Sequence, residues 1–138
     1  MSTASPLWRG GHLQEMSPDE CRHLMTTRAI GRVLFQDADG PCALPVNYTF
    51  DDDTVLFRTT PYSSVALSVR DRTVGFEVDD FDEAHHSGWS VLVRGRAAFV
   101  DEPAELTSAR PTPWPHGARP LHVRLDVRQL TGRRLLPS

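Results

Sequence analysis

Val55-Leu56-Phe57-Arg58-Thr59-Thr60-Pro61-Tyr62-Ser63-Ser64-Val65-Ala66-Leu67-Ser68-Val69-Arg70 is the stretch on which the reading of this chain turns. A short apolar strand ends in Arg58. Two threonines and a proline follow, then paired serines, then a short amphipathic run. Taken alone, the segment reads first as a strand and a capped helix, with Ser63 or Thr60 as the cap and Arg58 a solvated sheet residue. The same residues also make a seat for a phosphate: a guanidinium fork, several hydroxyls and the open N–H groups of a helix start.

On the N-terminal side, residues 1–16 read as a loose arm, and residues 17–138 as one domain. Ser17-Pro18-Asp19-Glu20 has the form of a helix start, with a cap, a proline at the first helical position and an acid three residues after the serine. The helix ends near Thr27, before a turn at Ala29-Ile30-Gly31. From Arg32 the apolar period changes to two. Val33-Leu34-Phe35 starts a strand, and Asp37 to Pro41 is a turn. Cys42, Leu44, Val46, Tyr48 and Phe50 share one face of the next strand. Pro45 cannot donate to a ladder, which places it at an edge or a bulge. Asp51-Asp52-Asp53 turns the chain into Val55.

On the C-terminal side, Thr73–Asp79 is a strand and Asp80–Ser87 an acidic loop. The longest strand runs from Gly88 to Val100, with Trp89, Val91, Val93, Ala97 and Phe99 on one face. Pro103–Arg110 forms a helix, and Pro111–Pro120 is a proline-rich loop. Leu121, Val123, Leu125 and Val127 alternate in a final strand, after which Thr131–Arg134 ends near the surface. The fold class is mainly β with minor α. About six hairpin-linked strands with one apolar face each point to a six-stranded antiparallel split β-barrel with flanking short helices.

The composition narrows the function. A chain of 138 residues with a net charge of -3 is not a nucleic-acid binder driven by bulk charge. All 15 basic residues are arginine, which excludes a Schiff-base or P-loop lysine. The two cysteines, Cys21 and Cys42, form no CxxC; buried thiols in a reducing cytosol are the first reading, with a disulfide left open. No apolar leader and no run of roughly 18 apolar residues is present, so a cytoplasmic protein with no membrane partner is expected. His85-His86, flanked by acids, matches no zinc spacing, and no metal site is expected.

The order of segments GRVLFQ, ALPVNYTF, DDTVLFRTTPYSS, FEVDDFDEAHHSGWSVLVRGRAAFV, PWPHGARP and TGRR resembles the pyridoxamine 5'-phosphate oxidase-like family of flavin-binding split barrels, in particular its small actinobacterial members. The resemblance covers residues 13–136. It implies a homodimer with FMN at the subunit interface, a deazaflavin or haem replacing FMN in some relatives. Carried over by position, it implies a phosphate site at Arg58, Thr59, Thr60, Ser63 and Ser64. It implies ring contacts from Pro45, Val46 and Asn47, and from Trp89, Ser90 and Val91. A late loop carrying Trp114 and Arg119 reaches the same region. Relatives commonly have Gly-Ser-Lys where Tyr62-Ser63-Ser64 stands here, so Arg58 is left as the cation of the phosphate seat.

Each assignment has a plainer counterpart in the residues. Trp89 has the parity of the apolar face, and either tryptophan suits core or interface packing. Arg94 and Arg96 face a substrate anion or a partner subunit, or are solvated strand charges paired with Glu77 or Asp79. The expected activity is that of a flavin-dependent oxidoreductase, against a deazaflavin-dependent reductase or a non-enzymatic flavin or haem carrier on the same fold. No residue is assigned as catalytic acid or base.

Overall fold

The computed structural model describes residues 12–100, 111, 112, 114 and 117–137. In chain order the elements are β1 (His12–Glu15), α1 (Pro18–Met25), β2 (Ile30–Asp37), β3 (Gly40–Asp51), β4 (Thr54–Thr59), α2 (Ser64–Val69), β5 (Thr73–Asp82), β6 (Ser87–Val100) and β7 (Leu121–Leu136). Every strand pairing is antiparallel, in the order β1-β7-β4-β3-β2-β5-β6, and β7 pairs again with β6. That last pairing closes a ring of six strands, β2 to β7. The ring leaves few open edges, and its six inner faces together bury a single core.

The interior is filled by the residues whose alternation marked the strands. Val33, Val55, Phe57, Phe76, Val78, Val91, Val93, Val123 and Leu125 are fully enclosed. Phe76 stands at the centre, edge-on to Tyr48 with ring centroids 5.0 Å apart and stacked on Phe57 at 6.4 Å. Truncating such a ring to alanine costs about 3–5 kcal/mol. Gly31 belongs to β2 rather than to a turn. A Cβ there would lie 2.3 Å from Phe76 Cε1, so the glycine makes room for the central ring. Gly95 marks the one register shift of the β6–β7 ladder, where a Cβ would lie 2.0 Å from the Asp126 carbonyl oxygen. The bulge bends the long strand round the barrel.

Both helices start as their caps dictate. Ser17 Oγ accepts from Glu20 N at 3.2 Å, and α1 buries Cys21 and Met25. Ser63 Oγ accepts from Ala66 N at 3.1 Å, and α2 buries Val65, Ala66 and Val69. Both cysteines are free thiols.

Three further expectations are corrected. Residues 12–15 of the expected arm pair with β7, and Met16 is buried. All four side chains of β1 are exposed, so no alternation announces the strand. Thr131–Arg134 lies inside β7 and pairs with β6, with Arg133 and Arg134 held between β6 and β1. The acidic loop is shorter than expected, because Asp80, Phe81 and Asp82 continue the hairpin opposite Trp89, Gly88 and Ser87. The helix expected at Pro103–Arg110 lies outside the described residues.

Pro45 does sit at an edge. β3 pairs with β2 alone from Gly40 to Asn47, and β4 joins its other side only from Tyr48. The barrel is split there. Among the described residues no helix is long and apolar enough to cross a membrane.

Candidate functional site

A cleft of about 650 Å³ opens at the split, beside β3 and β4. Arg58, Thr59, Thr60, Ser63 and Arg119 form its polar end, and Ile30, Leu44, Pro45, Val46, Asn47 and Trp114 the remainder. None of these residues is acidic, although the chain as a whole carries a net charge of -3.

Arg58 projects from β4 opposite His122 of β7. Its Nε donates to the Arg119 carbonyl at 2.9 Å. Among the described residues the two terminal nitrogens of Arg58 make no hydrogen bond, which leaves the two-pronged end of the fork for an anion. Thr59 is buried, and its Oγ1 shares a 2.9 Å hydrogen bond with Ser63 Oγ. Ser63 also caps α2, so the plainer reading of this serine holds, and its hydroxyl is largely committed to the chain. Thr60 is exposed at the rim, and its carbonyl accepts from Ser63 N at 3.2 Å. Ser64 is the exposed first residue of α2 and does not line the cleft.

Tyr62 adopts a φ of 69° and is 87% exposed. This is the left-handed region that favours glycine, so the tyrosine costs about 1 kcal/mol there.

Asn47 is held at both ends of its amide. Its Nδ2 donates to the Ala29 carbonyl at 3.4 Å, and its Oδ1 accepts from Trp114 N at 2.8 Å. Trp114 is 68% exposed and walls the cleft.

Trp89, Ser90 and Val91 are not brought to this cleft. β6 is separated from β3 by β5 and β2, and parity divides the three residues. Trp89 and Val91 point into the barrel, with the Arg28 guanidinium 5.6 Å over the Trp89 ring. Ser90 points outward, into a second groove of about 610 Å³ across β5, β6 and β7. That groove also holds Glu77, Leu92, Arg94 and Arg133. The acids flanking it pair with Arg32 rather than with Arg94 or Arg96, at 3.1 Å for Glu77 and 3.6 Å for Asp79. Arg94 donates instead to Gln129 Oε1 at 3.3 Å. The Glu77 carboxyl is pushed up to about 7, first by burial and then by Asp79 beside it.

Two lining residues, Ile30 and Leu44, escaped the sequence reading. In the sequence Ile30 reads as part of a turn, and Leu44 shares a face of its strand with Val46. The signal for Ile30 was its position directly across from Asn47, visible only once the β2–β3 register is known. Among the described residues no group of three or more His, Cys, Asp or Glu side chains is placed to hold a metal ion.

A six-stranded barrel split along one strand, with an arginine-bearing cleft whose described lining carries no acid, defines a class of small split barrels. The family model described as Pyridoxamine 5'-phosphate oxidase matches residues 17–134, and the chain belongs to that family. It is 32% identical over 129 residues to the uncharacterized protein Rv0080 of Mycobacterium tuberculosis, covering 88% of this chain and 85% of the relative. Among solved structures, it is similar to the FAD binding protein from Mycobacterium smegmatis, with a TM-score of 0.71, 31% identity, and coverage of 89% of this chain and 98% of that one. A FAD-binding protein from Mesorhizobium loti shares the fold, with a TM-score of 0.71 at 20% identity, covering 91% of this chain and 98% of the other.

Proposed function

We propose that the protein binds FMN in the cleft at the split, works as a homodimer, and is a flavin-dependent oxidoreductase. The observation that carries this reading is the chemistry of the lining. A polar end with no acid among its described residues offers the Arg58 fork and the Thr60 hydroxyl, and an apolar wall of Ile30, Leu44, Pro45, Val46 and Trp114 adjoins it. A phosphate monoester suits the first part and a flat aromatic ring the second.

The flavin, when bound, supplies the redox chemistry. The chain's own residues bind and orient. Arg58 would grip the phosphate through its terminal nitrogens while its Nε keeps hold of Arg119. Pro45 offers no backbone N–H, so ring and strand can approach closely there. The described lining contains no carboxylate, imidazole, thiol or amine, so no protein acid or base is assigned.

The homodimer is supported by the apolar groups exposed around the cleft: Leu44 at 41%, Tyr62 at 87% and Trp114 at 68%. A second copy would cover them and shield a bound ring from water.

The test begins with purified protein. A yellow preparation that releases FMN on denaturation is the expected result. Release of FAD would keep the flavin reading and change the cofactor, and a Soret band would replace flavin by haem. Colourless protein that fails to take up added FMN would overturn the proposal. Sedimentation at twice the 15.4 kDa chain mass is expected, and a monomer at micromolar concentration would remove the dimer.

A further inference from the structure

Asn47 closes the residues 40–47 of β3 that have a strand partner on one side only. The lane on the other side is where Trp114 arrives, and the bond between them is a short one, 2.8 Å from Trp114 N to Asn47 Oδ1. A backbone N–H can only donate, so the amide orientation is decided: its oxygen faces the late loop and its nitrogen faces Ala29. The side chain therefore ties β3 to two segments distant in sequence. A few residues further along the loop, the Arg119 carbonyl is held by Arg58 Nε at 2.9 Å. Two cleft side chains, one at each end, thus fasten the backbone that carries Trp114 and Arg119.

We propose that Asn47 is a positioning residue: through the Trp114 backbone it sets the indole as the wall against which a planar ligand rests. The amide is then not chiefly a reader of the ligand's edge. Its effect is confined to the ring end of the cleft, whereas Arg58 serves the anionic end and the loop together. This deepens the proposed function and rests on it for the identity of the ligand, but the fastening itself is tested without any ligand.

The experiment compares the full chain with its Asn47→Ala variant. Amide exchange at Trp114 N–H, followed by ¹⁵N NMR, should speed up about tenfold, the loss expected for one good hydrogen bond. The Trp89 amide, inside the ladders of β6, should keep its protection and reports an intact barrel. Affinity for FMN should fall about tenfold while affinity for inorganic phosphate stays within about twofold. Unchanged exchange at Trp114 overturns the proposal. So does an equal loss of FMN and phosphate affinity, which would make Asn47 a support of the whole cleft. Wild-type protein that binds neither probe, yet shows the faster Trp114 exchange in the variant, sinks the flavin reading and upholds the fastening.

Discussion

The cleft beside β3 and β4 and the groove across β5, β6 and β7 are near equals in size, about 650 and 610 Å³, and each is lined by two arginines. They differ in what faces those arginines. The groove is lined by Glu15 and Glu77, and Glu77 and Asp79 both pair with Arg32. Among the described residues the cleft is lined by no acid. Net charge is thus a poor guide to local field: a chain with more acids than bases has a cleft whose described lining bears arginines and no acid. Arg32 marks the divide, cross-strand from Pro45 of the cleft on one side and Glu77 of the groove on the other.

Removing the cleft's fork should break the contrast most sharply. Arg58→Ala should weaken FMN about 100-fold, or about 2.7 kcal/mol, the scale of a charge-assisted bidentate contact. Arg94→Ala in the groove and the exposed Arg72→Ala should each stay within about twofold. Titrations giving the three variants equal affinity would count against the phosphate seat.

The contrast can also be abolished by adding an acid. Thr60→Glu places a carboxylate on the rim of the acid-free end and should weaken both FMN and inorganic phosphate about tenfold, less at high salt. Thr131→Glu, in a groove that already holds acids, should do neither. If both variants bind alike, the absence of acid from the cleft is without consequence.

Much of the barrel was legible because its signals are local. The Ser17 cap, the alternation of β6 and the missing donor of Pro45 each act within a few residues. What escaped depends on distant partners. β1 is exposed along its length and is a strand only because β7 runs beside it. Gly31 reads as a turn until Phe76 is seen to fill the space of its Cβ. The same division runs through the cleft. Arg58, Thr59, Thr60 and Ser63 are neighbours in sequence and were found together. Ile30 reaches the cleft through cross-strand register. Trp89 and Val91 were carried over from a resemblance between segments, but their parity, readable in the sequence, turns them into the core.

Ser63 tests whether a residue in the cleft serves ligand or fold. Its hydroxyl already accepts from Ala66 N and shares a proton with Thr59 Oγ1. Ser63→Ala should cost about 1 kcal/mol in urea unfolding, the usual value of a lost cap. FMN affinity should change less than about threefold, since little of that hydroxyl's bonding capacity is left over. A large loss of affinity with unchanged stability would reassign Ser63 to the phosphate.

The smallest expected effect belongs to the groove, and it separates the two regions by pH. Glu77 has its carboxyl raised from an ordinary 4.5 to about 7, by burial first, then by Asp79, with Arg32 opposing. A carboxyl raised by folding takes up a proton as the chain folds. Its contribution to stability is therefore fully present below pH 4.5 and is lost as pH rises through 7. Glu77→Gln has no such proton to lose. Between pH 5 and pH 8 the wild type should lose about half a kcal/mol relative to the variant, a figure reduced by the water that still reaches the side chain. FMN affinity should be the same in both proteins at each pH, because Glu77 does not line the cleft. Parallel stability curves for the two proteins would show that folding does not raise the Glu77 carboxyl. An affinity that follows the Glu77 titration would show instead that Arg32 links the two regions it stands between.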